Sequence, residues 1–549
     1  MGVFAVLRRV QIDVLVTARQ TVGSRPAVLL PRGLGSRFHG RPHRGRADTA
    51  HHQYGGRRRD QHPSRAHHNS SSWMVDATTL GTAAIRALSR RDNRHITGVP
   101  TVAGMKPSDL VKGLVVAATT GALVYGGGAQ ATGTAQEEGN GAPEKPTMFV
   151  DNDPNGTENE QFEIRNYLVN LIKGAADDSE ITIASYRFDD TEVSKALVDK
   201  IKNHGVTVRV IADGKDADKK AYKDVAGADE QGSWIRNCGK PQEDPEHNMH
   251  TSCNGTHIMH NKFYLFSETG GKSNVVMHTS SNLSQKGKPD VTSSGPEMWN
   301  TAYTAIDEKW LYGMYQNYFN DLTAGIDVDD YYEYFNKKYG QSNGKYKLYV
   351  SPRKESDENV TFANILKNVE CGDNKTGGTS GTGPDAHRTI VRVAAAQIAK
   401  GGGATVAAEL FRLDNEGCYV DVVGTEVSQA KDGPLRGGLL RAPTGNYHGP
   451  EVREFSKNQC GTHEKNILID GNYDGDGDQK IVFTGSHNLN KKSPFHNDDM
   501  ILRINDADVH EEFRKHFFKI RAAAAITWQT SKYETTDPDD LKFECPVKK

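Results

Sequence analysis

The stretch His260-Asn261-Lys262-Phe263-Tyr264-Leu265-Phe266-Ser267 returns about two hundred residues later as His463-Glu464-Lys465-Asn466-Ile467-Leu468-Ile469-Asp470. Each copy passes through a polar turn into a second β-rich run, Asn274 to Met277 or Lys480 to Phe483. Each run then ends on a Ser-x-Asn triplet, Ser280 to Asn282 and Ser486 to Asn488. Asn282 follows His260 by 22 residues and Asn488 follows His463 by 25, a difference that a longer turn in the second copy accommodates. On a strand, side chains two apart share a face, so each imidazole and its ammonium meet the same ligand. One attacks or carries a proton while the other holds an anion. Two such pairs from two similar halves can converge on a single phosphate.

The repeat extends well beyond these strands. In the first half a helical pattern (Phe162, Ile164, Leu168, Leu171, Ile172) precedes a strand over Ile181 to Phe188. A helix through Val193, Leu197, Val198 and Ile201 follows, ending at His204-Gly205, and then a strand over Val206 to Ala212. The second half repeats the order with a strand over Thr389 to Ala395, a helix from Val406 to Phe411 and a strand over Tyr419 to Val423. After each Ser-x-Asn comes another strand–helix unit, from Asn300 into Glu308 to Leu322 and from Asp498 into Val509 to Ile520. Such alternation predicts an α/β fold, a mixed sheet with helices on its faces, present twice.

The paired frame resembles the HxK(x)4D…GSxN motif of the phospholipase D superfamily. The second copy matches in full, through Asp470 and Gly485-Ser486-His487-Asn488, whereas the first has Ser267 for the Asp and Thr279 for the Gly. The resemblance implies two α/β/α sandwich halves related by a pseudo-twofold, with the active site at their seam. It also implies a two-step course: one histidine attacks phosphorus to give a phosphohistidine, and the other protonates the leaving alkoxide and then deprotonates water or an alcohol. By that analogy His260 is the nucleophile and His463 the general acid/base, although the residues alone leave the order open. Lys262 and Lys465 would spread the phosphate charge, with Asn282, Asn488, Ser280 and Ser486 as further donors. Each histidine also needs an acceptor for its other ring nitrogen. Family members place a carboxylate just past the Ser-x-Asn, where this chain has Asp498, with Asp499 beside it as an alternative, but Asn300 in the first half, with Glu297 nearby. Asp470 would brace the strand pair, and Ser267 would stand in for it.

Other residues are weaker candidates. His257, His278 and His487 lie near the motifs, where packing or solvent exposure is the commoner fate of a histidine. Trp234, Trp299 and Trp310 are more readily core than a membrane-contacting surface. The loop Asp470, Asn472, Asp474, Gly475, Asp476, Asp478 resembles the front of an EF-hand calcium loop, but Ile481 stands where the bidentate Glu belongs. A polar turn is the plainer reading. No cofactor is required for the chemistry, and structural calcium is a minority expectation.

Composition changes along the chain. Residues 1–104 hold 17 Arg, no Lys and no Glu, and read as a non-globular Arg/His-rich leader or an over-extended start rather than an RNA-binding arm. From Met105 to Ala131 the chain reads as a secretory signal: Lys106 and Lys112, the apolar run Leu114 to Tyr125, then Ala129-Gln130-Ala131. Residues 132–146 form a Gly-rich acidic linker, 147–345 the first half and 346–549 the second. Six cysteines, at 238, 253, 371, 418, 460 and 545, suggest disulfides in an exported chain. The pairs expected are Cys238–Cys253, Cys418–Cys460 and Cys371–Cys545. Beyond residue 104 the chain has 51 Lys and Arg against 65 Asp and Glu, a net charge of −14 that disfavours a nucleic-acid partner. Together with the export signal, the resemblance to the phospholipase D superfamily implies a secreted, monomeric phosphodiesterase acting peripherally on phospholipid at a membrane surface. A secreted nuclease and a non-catalytic phosphate- or lipid-binding protein are the rivals.

Overall fold

The computed structural model describes residues 148–238, 251–284, 295–383, 385–399, 401–427, 439, 449–456 and 459–528. The leader, the signal-like segment and the linker lie outside these residues. Sheet one contains β1 (Phe149–Asn152), β2 (Glu180–Ser185), β3 (Thr207–Ala212), β4 (Trp234–Asn237), β5 (Lys262–Thr269), β6 (Lys272–Thr279) and β7 (Asn300–Ala305), in the order β1-β7-β6-β5-β2-β3-β4. Sheet two contains β8 (Tyr346–Val350), β10 (Ile390–Gln397), β11 (Tyr419–Glu426), β12 (Glu451–Glu454), β13 (Lys465–Tyr473), β14 (Asp476–Gly485), β15 (Met500–Asn505) and β16 (Ile526–Trp528), while the short β9 (Val369–Glu370) pairs with β13. Its order, β16-β12-β11-β10-β13-β14-β15-β8, repeats sheet one strand for strand from β4 to β1, with β16 added at the edge.

Register shows how close the repeat is. Lys262 pairs with Ser185 across β5 and β2, and Lys465 pairs with Ala395 across β13 and β10. In each half β2 or β10 also runs parallel to the next strand, the crossover being a helix. Those helices are α2 (Thr191–His204) and α4 (Gly402–Glu416); α1 (Glu163–Lys173), α3 (Lys309–Ala324) and α5 (Ala507–Ala523) complete the main set. Helix α1 buries Ile164, Leu168, Leu171 and Ile172 on one stripe, the spacing of an amphipathic helix. Asp190 caps the start of α2 through its carboxylate, and Gly205 at φ 67° ends it in the left-handed conformation that glycine adopts without strain.

Three apolar clusters hold the layers together. One lies on sheet one with α1 and α2, and another on sheet two with α4. The third is shared: Phe263, Val276 and Tyr315 of the first half join Leu468, Val482, Phe513 and Phe517 of the second. The two halves are thus packed through α3 and α5. Among the described residues no helix is long and apolar enough to cross a membrane.

Two expectations need correction. The strand expected to reach Phe188 ends at Ser185, because Asp216 captures the Phe188 N–H and turns the chain out of the ladder. Of the expected disulfides, Cys238–Cys253 is present, but Cys371 pairs with Cys418, their Cα atoms 4.6 Å apart. Residue 371 follows β9 and residue 418 opens β11, so the fold brings together two ends whose proximity no sequence spacing reveals. Cys460 is also disulfide-bonded, but Cys418 is already taken, so the Cys418–Cys460 and Cys371–Cys545 pairs are excluded.

Candidate active site

The two His-x-Lys segments begin β5 and β13 and meet at the seam. Each is pinned by the opposite half: the His260 N–H donates to the Asp498 carbonyl and the His463 N–H to the Trp299 carbonyl, both at 2.9 Å. Short parallel bridges, Met259 with Asp498 and Trp299 with Thr462, repeat the arrangement. By this correspondence Asp498 matches Trp299, and Asp499 matches Asn300.

The ring nitrogens break the symmetry. His260 Nδ1 lies 2.8 Å from Asp499 Oδ1, a carboxylate of the second half. His463 Nδ1 instead faces the backbone carbonyl of Ser280 at 2.8 Å. Both acceptors leave the proton on Nδ1 and present Nε2 as the basic nitrogen. Neither Nε2 has a hydrogen-bonding partner among the described residues. Asp499 is itself held by Ser486 Oγ at 2.6 Å and Asn497 Nδ2 at 3.1 Å, while its N–H donates to Ser351 Oγ.

The two motif serines therefore do not aim their protons at a phosphate. Ser486 Oγ donates to Asp499, and Ser280 Oγ donates to Asn300 Oδ1 at 2.9 Å. Asn282 and Asn488 lie just beyond, and Asn488 Oδ1 is buried with no hydrogen-bond donor among the described residues.

Lys262 and Lys465 are fully buried, and each ammonium contacts the carbonyl of its own histidine, at 2.8 and 2.5 Å. Burial pulls the Lys262 ammonium down to about 7, against the opposing pull of Asp499 and Asp213. Burial and then Lys262 hold Lys465 well below its ordinary value. His260 is lowered to about 4, first by burial and then by Lys262. His463 lies well below its ordinary value through burial, Lys465, Lys262 and His260. Asp499 is held well below the usual carboxylate range by His260 and its hydrogen bonds, although burial opposes them. Two imidazoles and two amines thus share a site in which each suppresses the other's charge. An entering anion relieves that mutual repulsion.

Asp498 does not orient a ring. Its carboxylate accepts the N–H groups of Cys253, Asn254 and Gly255, and so ties down the loop closed by the Cys238–Cys253 disulfide. Asp470 accepts the Gly378 N–H at 2.8 Å and pairs with Lys480 at 2.6 Å; at the matching position Ser267 Oγ accepts the Glu180 N–H. The calcium-like loop does not gather its carboxylates. Asp478 accepts three N–H groups from Lys375, Thr376 and Gly377, and Asn472 donates toward Glu370 and the Gly372 carbonyl. Asp474 and Gly475 form the tight turn between β13 and β14, and Asp476 pairs with Tyr473 at its base. Among the described residues, the one cluster of three potential metal ligands is Cys238, Cys253 and Asp498, and its two sulfurs are bonded to each other.

His278 is buried against the Tyr315 hydroxyl, His487 faces the Asn488 carbonyl, and His257 contacts Asn497. Trp299 is core, and Trp234 stacks on Phe319. A cavity of about 540 Å³ is lined by Trp234, Arg236, Asn254, Thr256 and Phe495 and includes neither His-x-Lys pair. The perturbed titratable groups that mark a candidate site gather at the seam and not in this cavity.

Three further groups meet the site. The Tyr186 ring stands edge-on to His260 at 4.9 Å and beneath Lys262 Nζ at 5.1 Å. Asp213, pushed up to about 6 by burial, accepts the Met259 N–H and acts on Lys262. Arg187, bound to Asp216, adds positive charge beside the same lysine. None of these carries a local sequence signature; all come from loops after β2 and β3.

A family described as "Cardiolipin synthase, PLD-like domain" matches residues 168–294 and 388–521, one span in each half. No curated protein matches the chain in sequence. Among solved structures, the chain is similar to a polyphosphate kinase from Porphyromonas gingivalis at 14% identity and a TM-score of 0.44, over 70% of this chain and 48% of that one. It therefore spans about half the length of that kinase. A phosphatidylserine synthase from Haemophilus influenzae matches at 12% identity over 69% of this chain and 89% of its own, with a TM-score of 0.43. The phospholipase D family member Nuc from Salmonella typhimurium matches at 17% identity over 32% of this chain and 93% of its own, with a TM-score of 0.23.

Proposed function

We propose that this chain, which belongs to the phospholipase D superfamily, is an exported phospholipase D: a monomer hydrolysing the distal phosphodiester of phospholipids through a phosphohistidine. The observation that carries this reading is the His260–Asp499 pair opposite His463, with both lysines buried beside them. A neutral imidazole fixed at Nδ1 by a carboxylate has its Nε2 lone pair ready to attack phosphorus. Asp499 also stabilises the positive charge that the ring gains when the N–P bond forms. That makes His260 the nucleophile. His463, with a carbonyl rather than a carboxylate behind it, gives up a proton more readily, as a general acid toward the leaving alkoxide should.

Both histidines are neutral in the empty site, so the acid needs a proton. The phosphodiester supplies the reason: its negative charge raises His463 and both lysines together. The substrate thus charges the machinery that cleaves it. After the headgroup leaves, neutral His463 removes a proton from water, or from an alcohol in headgroup exchange, and the N–P bond breaks to release phosphatidic acid or the exchanged lipid.

The test is to incubate the full-length protein in EDTA with phosphatidylcholine vesicles and, separately, with single-stranded DNA. Choline release lost in His260→Ala and His463→Ala supports the proposal. DNA cleavage without choline release moves the assignment to a nuclease. Inertness toward both substrates favours a non-catalytic binder, for which the substitutions at Ser267 and Thr279 would be the reason.

A further inference from the structure

Between His463 and Lys465 stands Glu464, which points away from the reacting face and is fully buried. A buried carboxylate must be paired or hydrogen-bonded. Glu464 is tied in three directions: to Thr301 Oγ1 of β7 at 2.8 Å, to Asn466 Nδ2 of β13, and to His516 Nε2 of α5 at 3.1 Å. The other nitrogen of His516, Nδ1, lies 2.6 Å from Asp151 on β1, which also receives Lys519 Nζ at 3.0 Å. Phe149 and Trp299 enclose the His516 ring edge-on at 6.1 and 6.0 Å. A continuous chain of charge therefore runs from an edge strand of the first half, through a helix of the second, to the peptide between the two site residues.

We infer that His516 is a positioning residue for His463 and Lys465, acting as an imidazolium that holds Glu464 and thereby fixes the strand start carrying both. The inference rests on the phosphodiesterase reading of that pair. Each ring nitrogen faces a carboxylate, and only the protonated ring can donate to both. Loss of that proton removes the charged donor from one of the two carboxylates, leaving Glu464 with only Thr301 and Asn466, or Asp151 with only Lys519. The matching residue in the first half, Asn261, is neutral and donates to the Tyr318 hydroxyl and the Asp498 carbonyl. The dependence on protonation thus belongs to the second half alone.

The charged groups facing this network are Asp151 on β1, Lys519 on α5 and Glu464 on β13, with Glu163 on α1 and Glu160 just before it acting on Asp151 and Lys519. Burial lowers the His516 ring, but Asp151 and Glu464 outweigh it, and the result is raised to about 9. A group raised on folding contributes stability that is complete below its ordinary value of 6.5 and lost as pH rises through about 9. Turnover should fall as the native ring itself loses its proton, around pH 9.

The experiment measures kcat and KM for bis(p-nitrophenyl) phosphate between pH 6 and 10 on the full-length protein, its His516→Gln and Asp151→Asn variants, with His516 followed by NMR titration. In His516→Gln, kcat should fall at least tenfold with KM within twofold of wild type. The Asp151→Asn change, at the rim of the network, removes one carboxylate and should move both the alkaline limb of kcat and the His516 titration down by about one pH unit. Wild-type kcat and an unmoved limb in Asp151→Asn would overturn the inference even if His516→Gln failed to fold. A wild-type protein inert toward the diester would overturn the phosphodiesterase reading, and the positioning role with it.

Discussion

His260 Nδ1 and Asp499 Oδ1 lie 2.8 Å apart although they come from opposite halves of the chain, and Asp499 is anchored in turn by Ser486 and Asn497. Neither half is therefore complete alone: the His260 ring is oriented by the half that does not carry it. The counterpart, His463 on the Ser280 carbonyl with Asn300 at the carboxylate position, has no acid of its own. One seam thus holds two histidines in different electrostatic settings, the condition for dividing nucleophile from acid/base.

Replacing Asp499 by Asn should keep the hydrogen-bonding shape but remove the charge that orients His260 and stabilises it as it becomes cationic. Turnover of a phosphodiester should fall by about a hundredfold or more, with KM little changed. Asp498→Asn should instead loosen the Cys253–Gly255 loop and lower the melting temperature without that collapse of kcat. Equal kinetic losses in the two variants would refute the division of labour between these neighbours.

If His260 is the nucleophile, removing the acid/base should strand the covalent intermediate. In His463→Ala, a phosphodiester with an activated leaving group should leave a stable adduct on the peptide containing His260, seen by mass spectrometry after digestion. The reciprocal His260→Ala variant should carry none. An adduct on His463 in the latter would reverse the assignment.

How far these features were legible in the sequence follows from their range. The strands that follow His260 and His463 show alternation, turns and Ser-x-Asn triplets that are local in the chain, and they lie where the sequence implied. The choice between Asp498 and Asp499 was not legible. Adjacent residues at a strand start point oppositely, and only the cross-seam hydrogen bond of His260 to the Asp498 carbonyl decides which carboxylate faces the ring. Tyr186 and His516 were invisible because each reaches the site from a distant segment with no motif around it. The Cys371–Cys418 bond was missed for the same reason, since fifteen pairings of six cysteines cannot be ranked without the fold.

That bond and Cys238–Cys253 should stabilise the fold unequally. In the chain-entropy account, a loop of 15 residues gains about 3 kcal/mol on closure and one of 47 about 4. Paired Cys→Ser variants should therefore both lower the midpoint of denaturant unfolding, Cys371/Cys418 somewhat more. Cys253 also begins the run whose three N–H groups Asp498 holds, so the Cys238/Cys253 variant, like Asp498→Asn, should lower the melting temperature without a collapse of kcat. A loss of turnover as large as that of Asp499→Asn would show that this run supports the site directly.

The cluster of buried amines sets the pH dependence of anion binding. Burial brings the Lys262 ammonium from 10.5 to about 7 and keeps Lys465 well below its ordinary value. At pH 8 the empty site is therefore largely uncharged at Lys262, and a bound anion that raises the amine must draw a proton from solvent. Sulfate, a dianion that does not itself titrate in this range, should bind with net proton uptake at pH 8. Its affinity should weaken as pH rises above about 7, approaching tenfold per unit if one proton is taken up. Calorimetry in two buffers of different ionisation enthalpy measures that uptake. A Lys262→Arg variant, which stays charged throughout, should show less uptake at pH 8 and a flatter affinity profile. Sulfate binding at pH 8 without proton uptake would mean that both lysines are already charged in the empty site, so that substrate does not charge its own catalyst.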